Sequence, residues 1–536
     1  MALSRTGRQP VLATRGAVAA PHHAASQVGL RMLERGGSAA DAAIAANAVL
    51  AVVYPHMAGV GGDLFCLLWD AGSRRLDGLN ASGRAASAAT IAWYRERGHA
   101  AIPIRGLLAA VTVPGVVDGW WQLHQRLGRL PFGALFEPAI ALAEGGFAVP
   151  ESLADWSGRA AAVLDADPTT RATFRPFGRP LRMGERLAMP NLGATLRRVA
   201  AGGPDAFYRG PVAEQVCAYV DERGGVLRPE DFAAHRSTWI TPIWATYRGY
   251  TAYQMPPNTQ GVTALEILRV LDGLDVAAMG DGSVAYVHTL AETARLVFED
   301  RDRHVTDPEF ADVPVARLLS DDHIAGLRAR LDPTRRPPAP ATVSTGGDTC
   351  YLCAVDGDGN AVSLIQSVYF DFGSGVVAGE SGVILQNRGA HFSLDPAHPN
   401  RLEPGKRTFH TLIPAMLFAG DEPVLVYGTM GGEGQPQTQA AVVTRVVDFG
   451  YDVQRAVEAP RWLFGRTWGA PTVALTLEES LAVDTAQPLS SLGHDVRVVP
   501  DRSDALGHAQ AIRIDREQGV YWAAADPRSD GAAAGW

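Results

Sequence analysis

Lysine is almost missing from this 536-residue chain: Lys406 is the only one. Arginine carries nearly all the positive charge, so chemistries that need a particular lysine, such as a Schiff base or a Walker-type phosphate loop, have one candidate position. Cysteine is scarce as well, at four residues: Cys66, Cys217, Cys350 and Cys353. Cys350 and Cys353 have C-x-x-C spacing, but Cys350-Tyr351-Leu352-Cys353 alternates like a strand and puts the thiols on opposite faces. No second pair exists for a zinc site, and no helix start for a redox motif. All four are expected to be reduced, mostly buried thiols. No run of about 18 apolar residues is present to span a membrane, and no apolar run follows the early arginines as in a secretory signal. The expected location is cytoplasmic. A net charge of −9 and the lack of a basic tract interleaved with aromatics argue against nucleic acid as a partner. His22-His23 lacks the rest of an H-E-x-x-H motif and the other histidines are scattered, so no metal and no cofactor are expected. No G-x-S-x-G nucleophile elbow occurs.

What is present is globular, with 47% hydrophobic and 20% charged residues. The length suits two or more packed units or one large layered body. Ala25, Val28, Met32 and Leu33 share a helical face that ends at Gly36-Gly37. Ser38 with Asp41 three residues on resembles a capping box, opening a helix over Ala39 to Val53 that is small and apolar nearly all round, hence buried. Gly59-Val60-Gly61-Gly62-Asp63 breaks the pattern, and Leu64 to Trp69 reads as a buried strand. The glycine run is no dinucleotide fingerprint, since a strand follows it and none precedes it. Val284 to His304 reads as an amphipathic helix. Residues 332–348, rich in Pro and Gly, cannot form helix or central strand and read as a linker. Directly after it, Thr349 to Val355 and Ala361 to Ser367 alternate around the turn Asp356-Gly357-Asp358-Gly359-Asn360, which predicts a hairpin. That turn imitates a calcium loop, but Ala361 and Ser367 stand where a calcium loop needs Gly and Glu.

A linker running into a strand that begins with threonine suits a self-processing hydrolase. A threonine hydroxyl is a weak nucleophile at neutral pH and needs a base beside it. Cutting the bond between Asp348 and Thr349 would place an α-amine, of pKa about 7.7–8.0, on the same residue as the hydroxyl. Cys350 is the rival nucleophile.

The motifs around this point resemble those of the γ-glutamyltranspeptidases. The resemblance starts at Gly36-Gly37-Ser38-Ala39-Ala40-Asp41-Ala42-Ala43 and Gly59-Val60-Gly61-Gly62-Asp63, and passes through Val113-Pro114-Gly115, Met255-Pro256-Pro257 and Asp300-Arg301. It resumes at Gly347-Asp348-Thr349, Phe372-Gly373-Ser374-Gly375, Ser381 to Asn387, Pro404-Gly405-Lys406-Arg407 and Gly428-Thr429-Met430-Gly431-Gly432. It covers nearly the whole chain in order. It implies an α+β fold, a four-layer αββα sandwich of the N-terminal-nucleophile type. Residues 1–348 would be the large subunit and 349–536 the small one, both from one precursor. Such subunits would be each other's partners, and a homodimer is compatible with this arrangement. The resemblance also implies Ser367 as a hydroxyl supporting Thr349, the backbone of Gly431 and Gly432 as oxyanion hole, and Arg84 as the fork for a substrate carboxylate.

The departures from the family pattern concern substrate. His391 stands where the family has an acid that holds the γ-glutamyl ammonium. His410 and Thr411 replace two hydroxyl residues that touch the carboxylate, and Tyr369 replaces an asparagine. Losing that acid removes about 4 kcal/mol of attraction at 4 Å and an effective dielectric of 20; Asp371 or Glu433 could compensate. A pocket keeping the arginine, without the acid, suits an anion with no ammonium, as in the oxamate amidohydrolases of the wider family. The expected function is hydrolysis of a small carboxylate-bearing amide through an acyl-enzyme on Thr349. Two alternatives stay open: a γ-glutamyl hydrolase or transferase, and an inactive relative serving as a scaffold.

Overall fold

The computed structural model describes residues 7–336, 347–467 and 472–536. Most of the expected linker, residues 337–346, lies outside them. Two seven-stranded antiparallel sheets form the centre. In the first, the strand order is Ala532–Gly535, Gly16–Ala20, Asp348–Asp356, Ala361–Tyr369, Asp63–Asp70, Arg75–Ala81, Thr238–Ile240. In the second it is Val11–Ala13, Val520–Ala525, Ala509–Asp515, Glu422–Thr429, Ala415–Ala419, Tyr250–Gln254, Ile243–Tyr247.

Alternation along the strands shows the layering, because successive side chains leave a strand on opposite faces. Phe65, Leu67, Tyr351, Cys353 and Ile365 of the first sheet meet Met416, Phe418, Val426 and Ile512 of the second in a core between the sheets. Their neighbours Leu64, Cys66, Cys350, Leu352 and Leu364 point the other way, under helices that include Ala39–Val53. Leu417, Leu425, Tyr427 and Ala511 pack outward against Gly261–Asp272, Val284–His304 and Gln435–Val447. Helix, sheet, sheet, helix is the αββα sandwich expected. Both sheets take strands from either side of position 349, so the chain segments before and after it share two hydrogen-bonded sheets.

Local chemistry explains why the elements start where they do. Asp41 accepts from the Ser38 N–H at 2.9 Å and Ser38 Oγ accepts from the Asp41 N–H at 3.2 Å, a reciprocal cap on a helix buried all round. The hairpin turn docks there too: Asp356 accepts from Ala39 N–H at 3.0 Å, adding a carboxylate to the helix N-terminus. The same side chain accepts from the Asp358 and Asn360 N–H groups and from Asn360 Nδ2, which closes the turn. Cys350 and Cys353 fall in separate cores on opposite faces, and all four cysteines are free and buried. Among the described residues no helix is long and apolar enough to cross a membrane.

Candidate active site

Thr349 sits at the end of an inner strand, where the ladder is irregular. Asp348 pairs with Tyr369 and Cys350 with Gln366, so the register shifts across Thr349, a bulge of the kind that re-aims a side chain. Thr349 is fully buried, and its Oγ1 has no hydrogen-bond partner among the described residues. Cys350, the rival, points into the helix-covered core, and burial pushes its thiol up, away from the reactive thiolate.

Ser367 lies on the neighbouring strand, buried, where its Oγ accepts from the Tyr369 N–H at 2.7 Å. It is paired across the ladder with Asp63. The Gly59 to Asp63 motif makes this approach possible: a Cβ on Gly62 would strike the carbonyl of Ser367, and one on Gly61 that of Ile384. Tyr369 has φ 86°, rare for a residue with a Cβ and a mark of locally stored strain. Its ring lies where any Cβ on Gly347 would be.

Gly431 and Gly432 come from the other sheet, just past the Glu422–Thr429 strand. Gly432 has φ 50°, and a Cβ there would stand 2.7 Å from Gly347 O and 2.8 Å from Gly347 N. The turn is therefore laid against the residue two before Thr349. It runs through Gly432–Gly434 into the Gln435–Val447 helix, whose N-terminal dipole favours negative charge nearby. Gln260 ties the turn down, its Nε2 donating to Gly432 O at 3.0 Å and to Thr411 O at 2.9 Å.

The residues expected to bind substrate divide by their contacts. Tyr369, His391, His410 and Thr411 form one group. The His391 ring is 4.7 Å from that of Tyr369 and 5.3 Å from that of Phe409, and it helps line a cleft of about 340 Å³ with Arg301, His398 and Phe409. His410 is fully buried, with Nε2 3.1 Å from Asp63 Oδ2. Burial, helped by Arg388 and His391, holds its pKa well below the usual value, so the ring is neutral. Burial likewise pushes Asp63 up to about 7, against its hydrogen bonds from Gln386 and Gly83. Their contact is thus a hydrogen bond in a buried network, not a permanent ion pair. Arg84 has partners of its own: its guanidinium is about one-third exposed, donates to Glu309 at 2.7 Å and Gly405 O at 3.0 Å, and lies 3.8 Å from Asp307.

Of the two acids that could replace the missing one, Asp371 is held by Arg105 at 2.6 Å. Glu433 lies 3.5 Å from Arg301 and keeps a buried Oε1 without a partner among the described residues. The sequence reading missed Arg388, which stands among Tyr369, Thr411 and His410. Nothing in one arginine-rich sequence distinguishes it, and the run used for the resemblance stops one residue short, at Asn387. Among the described residues one set could accept a metal ion: Glu266, Asp300 and His323, with ligand atoms within 4.8 Å of one another. His323 Nε2 is 2.9 Å from Asp300 and 3.5 Å from Glu266. This cluster shares no residue with the Thr349 site.

Comparison with known proteins shows the family and the fold. A family model described as gamma-glutamyltranspeptidase matches residues 25–536. The glutathione hydrolase-like YwrD proenzyme of Bacillus subtilis (strain 168) is 44% identical over 525 residues, 98% of this chain and 99% of that protein. The oxamate amidohydrolase proenzyme of Klebsiella pneumoniae is 42% identical over 530 residues, 98% of this chain and 99% of that one. The glutathione hydrolase proenzyme of Escherichia coli (strain K12) is more distant, 31% identical over 97% of this chain and 91% of its own. Among solved structures, the cephalosporin acylase from Bacillus halodurans superposes with a TM-score of 0.91 at 38% identity, covering 100% of this chain and 98% of that one.

Proposed function

The chain belongs to the γ-glutamyltranspeptidase family and is a hydrolase of it, and from that premise we propose that it is an autoprocessed N-terminal-threonine amidohydrolase for small carboxylate-bearing amides of the oxamate type. The observation that carries the reading is the buried Thr349 hydroxyl, without a partner among the described residues, at a strand bulge, with the Gly431-Gly432 turn laid against Gly347 just before it.

Maturation starts when Thr349 Oγ1 attacks the carbonyl carbon of Asp348. The C–N bond breaks, the amide becomes an ester, and the nitrogen becomes the α-amine of Thr349; water then hydrolyses the ester. In the mature enzyme that amine takes the hydroxyl proton as Oγ1 attacks the substrate amide. Charge on the carbonyl oxygen falls to the backbone N–H groups of Gly431 and Gly432 at a helix start. Ser367 holds the nucleophile's surroundings through the Tyr369 backbone. The proton passes to the leaving ammonia or amine, and water hydrolyses the acyl ester. A second reading, γ-glutamyl hydrolysis, draws on the unpartnered Glu433 oxygen, which could receive an ammonium.

Intact mass and N-terminal sequencing beside a Thr349→Ala variant test the nucleophile. Two fragments, the smaller beginning Thr-Cys-Tyr-Leu and absent from the variant, are expected. A fragment beginning Cys-Tyr-Leu would move the chemistry to Cys350, and a stable uncut chain would favour the scaffold. For substrate, turnover of γ-glutamyl amides without oxamate turnover would refute the oxamate-type reading.

A further inference from the structure

Arg388 opens the short turn Arg388–His391 and is 1% exposed. Its Cζ stands 4.0 Å over the Tyr369 ring, and Nη1 reaches Thr411 Oγ1 at 3.4 Å, a long contact. Nε and Nη2 have no acceptor among the described residues. Asp63 attracts it electrostatically. However, the oxygens of Asp63 are taken by Gly83 N–H, Gln386 Nε2 and His410. Other buried arginines are handled differently: Arg461 pairs with Asp526 at 2.7 Å, and Arg528 with Glu478 at 2.6 Å. Burial draws Arg388 down only to about 10, so it remains a cation at neutral pH. A buried cation without a counter-charge is costly unless an anion arrives to complete it.

We infer that Arg388, rather than Arg84, is the anchor for the substrate carboxylate, and that it selects amides whose carboxylate lies on or next to the reacting carbonyl carbon. This rests on the reading of the chain as a hydrolase of carboxylate-bearing amides. Two unsatisfied N–H groups on a planar fork match a carboxylate's two oxygens. Arg84 already has Glu309, with Asp307 nearby, and an anion there would displace existing partners. The length limit follows from Tyr369. One side of its environment is the Arg388 guanidinium, another is Gly347, and its backbone pairs with Asp348, whose carbonyl is the first one attacked. Anchor and reacting carbon are therefore about one side chain apart. A γ-glutamyl amide has three carbons between carboxylate and carbonyl, and its ammonium would be repelled by the same guanidinium.

The test uses mature, cleaved enzyme and compares oxamate with oxamide, its neutral isostere, and with malonamate and γ-glutamyl anilide. Wild type is expected to prefer oxamate over oxamide by about 100-fold in kcat/KM. Arg388→Met should abolish that preference by lowering kcat/KM for oxamate, through KM, about 100-fold more than for oxamide; Arg388→Lys should recover part of it, since the charge returns without the fork. A purely structural arginine would lower both substrates together. Oxalate binding, read by calorimetry and melting shift, supplies an arm independent of turnover: it should be seen in wild type and lost in Arg388→Met, whose own melting temperature without ligand should not fall. An oxamate preference and oxalate binding that persist in Arg388→Met but vanish in Arg84→Ala would overturn the assignment and return the anchor to Arg84. Wild type that binds no oxalate would overturn it as well. Wild type that turns over none of the carboxylate-bearing amides would refute the proposed function itself. Should Arg388→Met fail to mature, Arg388→Lys carries the comparison.

Discussion

Replacing Gly432 with alanine tests whether the turn against Gly347 sets up the first cleavage. The added Cβ would stand 2.7 and 2.8 Å from the O and N of Gly347 and 3.0 Å from Thr467 O, all backbone atoms, where ordinary contact begins at 3.4 Å. None can swing away like the end of a side chain, so the turn must move by roughly 0.5 Å, and misplacement of about 1 Å costs on the order of 10²-fold in rate. Loss of one oxyanion donor is worth about 10²–10³-fold, or about 2.7–4 kcal/mol. A left-handed φ of 50° adds about 1–2 kcal/mol of strain for a residue with a Cβ. Autocleavage of Gly432→Ala, followed by intact mass over time, should slow by at least about 10²-fold while the chain stays folded by circular dichroism. The control is Gly420→Ala, with φ 59° at an exposed turn and nothing within 4 Å of its Cβ. It bears the strain without the collision and should cleave at the wild-type rate. Cleavage of folded Gly432→Ala within tenfold of wild type would refute the argument.

Three further expectations follow from buried groups. Asp63 is raised from 3.8 to about 7, so the fold favours its protonated form; that contribution is full below about pH 4 and is lost as pH rises through 7, for a total of about 4 kcal/mol. Denaturant unfolding of wild type minus Asp63→Asn should therefore drift against wild type between pH 4 and 8, and a flat difference would contradict the shift. Asp526 is fully buried, and against the upward push of burial Arg461 and Arg528 hold it at about 2. Its contribution is present above pH 3.8 and lost as pH falls through 2, and Asp526→Asn should cost about 3–5 kcal/mol at pH 7 by leaving two buried cations short of a partner; a loss below 1 kcal/mol would count against the network. Cys350→Ala should still cleave to a fragment beginning at Thr349, with a modest loss of stability from its core cavity, and N-terminal sequencing would show any dependence on the thiol.

Periodicity made much of the fold legible. The Val284–His304 and Ala39–Val53 helices and the hairpin around Asp356–Asn360 could be read because their signals are local: a 3.6-residue period, a cap, a turn between two alternating runs. Apart from Val284–His304, the middle of the chain from about 114 to 321 mixed helical periods with loops, because most of its helices run to 12 residues or fewer. For the site, the linker followed by a strand beginning at Thr349 pointed to Thr349 as the proposed nucleophile, and the order of motifs pointed to the proposed roles of Ser367, Gly431 and Gly432. Arg84 and Arg388 show the limit. Both are arginines in a chain with 48 basic residues, and residue type does not say which has acceptors. Only folding brings Glu309 and Asp307 to Arg84 and leaves two nitrogens of Arg388 without an acceptor among the described residues.

The sequence by itself therefore determined the chemistry on offer: a threonine after a linker, thiols on opposite faces of one strand, glycines where backbones must touch. The tertiary structure alone decided which groups meet, since Gly347 and Gly432, Tyr369 and Arg388, and Asp63 and His410 come together through sheet pairing and layer packing. Local patterns encode backbone conformation over a few residues, whereas the charge state and partners of a buried side chain depend on contacts between residues far beyond that range, 347 positions apart for Asp63 and His410.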